Sequence, residues 1–314
     1  MNVSGAFYAL FAFAVFATHD AVIKFLGVSY SPFQMIFFST LFSFPLVTFM
    51  LMRDKTSGNL RPVHPWWTAL RTACATINVI CAFYAFTVLP LAQVYAILFA
   101  TPLLITVMSI PVLGERVGFH RWAAVIVGLI GVAVVLRPGA TEFTLGHVAA
   151  LTCAFVGGMA SIIVRKVGRD ERTVVLMLYP MVANFIIMGT LMILSYEPMP
   201  IMDLGGIGAL SLLGFTGGVF LIVAYKASEA AIVAPMQYSQ IIWATIFGAL
   251  FFGESVDGAT ILGAGIIICS GLYIVFREAQ SGTSENTPVL RTRSRASSAA
   301  SFRISPFLRR VKSK

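Results

Sequence analysis

Residues 106–116 read TVMSIPVLGER, and residues 245–255 read TIFGALFFGES, an imperfect copy 139 positions further along the chain. In both copies an apolar run ends in a Gly-Glu pair, Gly114-Glu115 in the first and Gly253-Glu254 in the second. An internal copy of this kind indicates a fold built from duplicated units. Duplication favours an architectural role for Glu115 and Glu254, as loop anchors or helix-start contacts.

The duplication extends over most of the chain. At an offset of 141 residues, Lys24 aligns with Arg165 near the end of a matching pair of apolar runs. The matches divide the chain into a first repeat, residues 1–140, and a second repeat, residues 141–279. A Ser- and Arg-rich segment, residues 280–314, follows them and is predicted to be a basic, disordered cytoplasmic tail.

The composition is that of a membrane protein. Apolar residues make up 58% of the chain, charged residues only 11%, and the mean hydropathy is +0.87. A soluble domain would be about one quarter charged. Backbone groups cannot remain unpaired in lipid, so apolar runs of spanning length are predicted to be helices. These runs cover residues 5–27, 31–52, 67–88, 91–113, 120–137, 145–165, 173–195, 205–226, 231–252 and 258–276.

Ten spans place five in each repeat, and an odd number inserts the two copies in opposite orientations. With the N-terminus inside, 20 of the 22 Lys and Arg residues fall on the cytoplasmic side, and only Lys24 and Arg137 fall outside. That count assigns Arg71 to the connection between the second and third spans. The predicted fold is therefore an all-α membrane protein of ten transmembrane helices, arranged as two inverted five-helix repeats with both termini cytoplasmic.

Several other classes of protein are disfavoured. The net charge of +9 comes mostly from the tail, where nine Lys and Arg and two Glu follow residue 276, so it does not indicate a nucleic-acid partner. The four cysteines lie in apolar runs without ligand spacing and are interpreted as small buried residues. The four histidines are scattered. We expect no metal and no cofactor. The expected partners are a small-molecule substrate and the lipid bilayer, and a homodimer stays open.

Four segments carry a family resemblance: HDAVIKFLG (19–27), AFYAFTVLPLAQVYAILFATPLL (82–104), LGER (113–116) and SEAAIVAPMQYSQIIWATIFGALFFGE (228–254). With them the sequence resembles the drug/metabolite transporter superfamily, and within it the EamA-type ten-helix transporters. The resemblance implies a cavity between the halves, alternating access without an ATP site, and an inner-membrane location.

The resemblance also bears on the substrate. Residues 19–26 are similar to a subgroup that includes alphaproteobacterial riboflavin importers and S-adenosylmethionine carriers, and riboflavin uptake is the first expectation. An S-adenosylmethionine carrier and an exporter of amino acids or other metabolites are the alternatives on the same fold. An integral membrane enzyme is disfavoured because the ionisable groups are dispersed and no DxxD or HxxxH motif occurs.

Three ionisable residues lie in the first span. Asp20 and Lys24 are four residues apart, which places them on one helix face and predicts an ion pair, with Lys24 reaching toward the outer headgroups. Charged groups within spans are costly and often functional, so a gate or coupling site is the alternative. Asp20 aligns with Ser161 in the second repeat, and this asymmetry favours a functional acid. His19 is either a proton relay or a neutral ligand of a neighbouring helix.

The fourth and ninth spans carry the binding candidates. Pro102 and Pro235 are predicted helix breaks that free carbonyl groups, either toward a cavity or as packing kinks. Gln237, Gln240 and Trp243 recur every three residues and form a stripe suited to a planar heteroaromatic ligand, or to hydrogen bonds between helices. Weaker candidates of the same kind are Asn78, Tyr84, Tyr95, Asn184 and Tyr238.

Overall fold

The structure, a computed structural model, describes residues 3–53, 60–114, 117–137, 142–167, 170–227 and 233–280. Glu115 and the predicted tail beyond residue 280 lie outside these ranges. The helices are α1 (Val3–Leu26), α2 (Pro32–Arg53), α3 (Pro65–Val88), α4 (Leu91–Leu98), α5 (Thr101–Leu113), α6 (Phe119–Leu136), α7 (Leu145–Val167), α8 (Thr173–Met192), α9 (Ile201–Ala227), α10 (Gln240–Phe252) and α11 (Gly258–Gln280). Two 3₁₀ segments, Ile193–Ser195 and Ala234–Ser239, accompany them.

Among the described residues, eight helical stretches are long and apolar enough to cross a bilayer. One of these, Leu91–Leu113, consists of α4 and α5 together. Pro32–Thr48 is apolar but shorter, and the segment from residue 233 to residue 252 is divided between a 3₁₀ segment and α10. The fold is thus an all-helical membrane bundle, while the count of ten spans stays a prediction.

Both duplicated Gly-Glu pairs follow a helix end. Gly114 ends α5 with φ of 72°, and Gly253 ends α10 with φ of 62°. This left-handed backbone favours glycine, which has no Cβ to clash with the preceding turn, and it stops the helix. The duplicated glycine therefore has the same local role in both copies, which is to end a helix.

The proline-containing stretches interrupt helices as the sequence predicts. The helix of the fourth span breaks at Phe99 and Ala100, and Pro102 lies in the first turn of α5. Pro235 lies at the start of the 3₁₀ segment that precedes α10. A proline costs little at a helix start because its missing N–H would have no helical partner there.

Helices of the two sequence halves pack against one another throughout the bundle. The most extensive pairs are α1 with α9, α6 with α11, and α3 with α7. Gly131 on α6 and Gly263 on α11 cross so closely that a Cβ at residue 263 would lie 2.6 Å from the Gly131 carbonyl oxygen. Small residues of this kind allow membrane helices to approach. Cys269 on α11 is exposed, so the expectation of burial is wrong for this cysteine.

Candidate transport site

A cavity of about 320 Å³ lies inside the bundle and is walled by helices of both sequence halves. Its volume is in the range of small-molecule sites. On α1 the wall runs from Phe16 to Ile23. We call the end of the bundle where α1 stops, at Leu26, the Lys24 end. The polar side chains in the wall are His19, Asp20, Ser39, Thr40, Ser43, Arg71, Asn78, Tyr95, Thr101, Asn184, Ser211, Gln237 and Gln240.

Asp20 is the centre of a hydrogen-bonded cluster in this wall. Its side chain is buried, and its carboxylate accepts one bond from the Tyr95 hydroxyl and one, 2.8 Å long, from Nδ1 of His19. Gln240 Nε2 in turn donates to the Tyr95 oxygen at 3.4 Å. Because a carboxylate accepts and a phenol does both, this chain of donors points toward Asp20. The cluster joins α1 and α4 in the first half to α10 in the second.

Lys24 lies outside the cavity wall and pairs with a different acid. Its Nζ is 2.5 Å from Glu254 Oε1 and donates to the Leu89 carbonyl oxygen at 2.5 Å. The predicted ion pair with Asp20 is therefore wrong. Asp20 turns into the cavity, whereas the longer lysine side chain extends to the end of α10. Lys24 is also only 12% exposed in its side chain, so it does not reach toward the headgroups.

Glu254 has a second role at the same end of the bundle. Its Oε2 accepts a 2.9 Å hydrogen bond from the backbone N–H of Leu91, the first residue of α4. The first amides of a helix have no partner within the helix, so a carboxylate stabilises this end. The expectation that Glu254 makes a helix-start contact is confirmed.

The predicted glutamine stripe is only partly present. Gln237 and Gln240 both line the cavity, but Trp243 does not, and its ring lies 6.1 Å from Phe247 on α10. The change of helix type explains the difference. Residues three apart are eclipsed in the 3₁₀ segment, whereas in the α-helix that begins at Gln240 the third residue is rotated by about 60°. Trp243 is therefore not part of this site.

Arg71 is a cavity residue that the sequence analysis placed in a connection. It is 2% exposed, lies in the second turn of α3, and donates through Nη1 to the Leu176 carbonyl oxygen of α8. The signal for its position is the aromatic pair at residues 66–67 that follows Pro65, because tryptophans mark the membrane interface and proline marks a helix start. Arg71 is one turn deeper than this pair.

The remaining candidates fall into two groups. Asn78, Tyr95 and Asn184 line the cavity, and Asn78 Oδ1 accepts a bond from Cys153 Sγ at 3.1 Å. Pro102 and Pro235, like Tyr84 and Tyr238, are not among the wall residues of the described structure.

Further bonds join the halves at the Lys24 end. The Tyr30 hydroxyl donates to Asp203, and this hydrogen bond raises the pKa of Tyr30 to about 12. The Gln34 side chain makes two hydrogen bonds to the backbone of Glu197. Its Nε2 donates to the Glu197 carbonyl oxygen at 2.6 Å, and its Oε1 accepts from the Glu197 backbone N–H at 2.9 Å. Arg137 pairs with Asp257. These contacts join the two halves at this end of the bundle.

A polar cavity enclosed by membrane-length apolar helices is typical of the class of membrane transport proteins. The EamA-like transporter family matches residues 3–137 and again residues 144–276, and the chain belongs to this family. It is thus a transporter and not an enzyme, and a multi-pass protein of the inner membrane.

The relatives differ in the solute that their names give. The S-adenosylmethionine uptake transporter of Rickettsia prowazekii is 25% identical over 90% of this chain and 96% of its own length. The riboflavin transporter of Rhizobium johnstonii is 29% identical over 77% and 78%, and the pseudopaline exporter CntI of Pseudomonas aeruginosa is 25% identical over 84% and 93%. A solved crystal structure superimposes with a TM-score of 0.59 at 19% identity, over 89% of this chain and 98% of that chain, which shows the fold alone.

Proposed function

We propose that this transporter is a secondary carrier that moves a small organic metabolite by alternating access between two inverted five-helix halves, residues 1–140 and 141–279. The observation that carries the proposal is the cavity walled by both halves, which contact each other beside it at the Lys24 end. Inverted repeats with a site at their interface are a recurrent design of secondary transporters.

Contacts at opposite ends of the bundle support the inverted relation. The pair Tyr30 and Asp203 joins the halves at the Lys24 end, and at the other end the His64 amide donates to Glu171 Oε1 at 2.5 Å. Tyr30 and Glu171 are 141 residues apart, and His64 and Asp203 are 139 apart, the offsets of the sequence repeat. The two matches to one family in one chain support it as well.

The orientation in the membrane follows from the positive-inside count. Both termini are proposed to be cytoplasmic, so the Lys24 end faces away from the cytoplasm.

Riboflavin uptake is the first substrate to test, and S-adenosylmethionine is the second. The names of the relatives support both solutes. The two glutamines in the wall suit the hydrogen-bonding edges of a planar ring system, which both molecules contain. Export of a metabolite is the alternative direction, supported by the name of the pseudopaline exporter.

Complementation and reconstitution test the proposal. We expect the chain to restore growth on low riboflavin to an auxotroph that lacks its own importer. In proteoliposomes, we expect exchange of labelled riboflavin or S-adenosylmethionine against unlabelled solute without ATP. If a well-expressed protein does not restore growth, riboflavin is rejected as the substrate. If neither solute is exchanged and no compound of an efflux panel is transported, the transport proposal is rejected.

A further inference from the structure

The Lys24 end of the cavity combines a carboxylate with several aromatic rings. We call this group the Asp20 cage: Asp20 with Phe83, Phe86, Tyr95 and Phe99, all of which lie in the cavity wall. The ring centroids of Phe86 and Tyr95 are 5.4 Å apart, and those of Tyr95 and Phe99 are 6.2 Å apart. The rings of Phe86, Tyr95 and Phe99 therefore pack in series beside the acid.

Hydrogen bonds hold the Asp20 side chain in the cage. Asp20 is 3% exposed, and the Tyr95 hydroxyl and the His19 ring each bond to one of its oxygen atoms. Gln240 supports the Tyr95 hydroxyl from the second half.

Lys24, one turn after Asp20 on α1, is bound outside the cage. Its ammonium group is held by Glu254 and the Leu89 carbonyl oxygen, outside the wall. The rings of His19 and Phe83 are 6.3 Å apart, so Phe83 lies beside the histidine that bonds to Asp20.

We propose that the Asp20 cage binds the positively charged group of an organic cation, an ammonium or sulfonium centre, and thereby sets the substrate class of the transporter. A carboxylate supplies the charge, and aromatic faces attract a cation that carries few or no hydrogen-bond donors. The inference rests on the proposed function and narrows it. Among the solutes in the names of the relatives, S-adenosylmethionine carries a sulfonium centre, and riboflavin is neutral at pH 7.

Binding to the purified full-length chain in detergent tests the inference with matched ligands. S-adenosylmethionine and S-adenosylhomocysteine differ by one methyl group and one positive charge. Choline and 3,3-dimethylbutan-1-ol have the same shape and differ in charge. We expect the cation of at least one pair to bind roughly tenfold more tightly than its partner, because the charge meets both the carboxylate and the rings.

Variants locate that preference. We expect Asp20→Asn to remove the tenfold preference while affinity for the uncharged partner changes little, and Asp20→Glu to retain it. Should Asp20→Asn not yield folded protein, Phe86→Leu is expected to weaken cation binding by roughly two- to thirty-fold through loss of the ring face. Thr190→Ala, on α8 outside the cavity wall, is the control and should leave the preference intact.

The result separates this inference from the transport proposal. Equal affinity within both pairs, or a preference that survives in both Asp20→Asn and Phe86→Leu, would overturn the cation site. Exchange of riboflavin without any cation binding would also overturn it while leaving the transport proposal in place. Cation binding without exchange of any solute would support the cation site and overturn the transport proposal.

Discussion

Asp20 is the residue on which both halves of the cavity converge. The sequence identifies it because a lone acid in an apolar span is costly and because its counterpart in the repeat is a serine. Its partners could not be derived in the same way. Tyr95 and Gln240 reach Asp20 from helices far along the chain, and only their packing decides which polar group each one meets.

Removing one hydroxyl tests the cluster with little change in packing. We expect Tyr95→Phe to retain the ring contacts with Phe86 and Phe99 but to lose the bond to Asp20, destabilising the fold by about 1.5–3 kcal/mol and lowering solute exchange. Thermal unfolding in detergent and exchange in proteoliposomes measure the two effects. Tyr84→Phe is the control, because its hydroxyl makes no hydrogen bond within the described structure. Equal effects of both variants would contradict this role for Tyr95.

At the scale of helices, the sequence predicts that a helix is present more reliably than it predicts where that helix begins and ends. Apolar runs, prolines and the Gly-Glu pairs locate the helices and their breaks because these signals act within a turn or two. The sequence does not predict the positions of Trp243 and Arg71. Trp243 leaves the cavity because the helix type changes at Gln240, whereas Arg71 lies within the predicted run 67–88 and only the packing of α3 shows that it lines the cavity.

The ion pair between α1 and the end of α10 contributes to stability only as a pair. We expect Lys24→Met and Glu254→Gln each to lower the unfolding temperature, because each leaves a largely buried charge without its partner. The double variant should be less destabilised than the sum of the two, by about 0.5–3 kcal/mol of coupling.

Lys166 offers a matched control for this cycle. Its Nζ also donates to a backbone carbonyl, that of Val112 at 2.7 Å, and lies over the Trp67 ring. It makes no ion pair with an acid of the described chain. Lys166→Met should therefore cost less than Lys24→Met, and strict additivity of Lys24→Met and Glu254→Gln would contradict the coupling.

The close crossing of α6 and α11 can be tested with two glycine variants of α11. Gly263→Ala places a methyl group 2.6 Å from a backbone oxygen that cannot move without the whole helix, and we expect a cost of about 1–3 kcal/mol. Gly265→Ala, two residues later, meets nothing within 4 Å and should be tolerated. Unfolding temperatures of the two variants measure the difference. Similar values would contradict the close crossing.

At the scale of the whole molecule, composition alone predicts a membrane bundle, and the repeat predicts a carrier built from two copies. The family match agrees with that class. The solute could not be predicted with the same force, because it depends on a few side chains brought together from distant segments. Relatives of similar identity carry different solutes by name.

Locking the Lys24 end should arrest exchange. In a background without the four native cysteines, we expect Gln34→Cys with Glu197→Cys to be bridged by a short bifunctional thiol reagent, because these residues contact each other directly. Bridging should abolish exchange if this end must open, and a cleavable reagent should restore it on reduction. Either single cysteine variant is the control. Full exchange after complete bridging would contradict alternating access at this end.

Several contacts between the halves at the Lys24 end are made by residues that do not line the cavity. Lys24, Glu254, Tyr30 and Gln34 lie outside the cavity wall, whereas Asp20 and its partners lie within it. A substitution at a wall residue that bonds only within its own helix, such as Ser43, can therefore change the lining of the cavity without touching these contacts. The chemistry of the cavity can in this way vary while the joints between the halves stay the same.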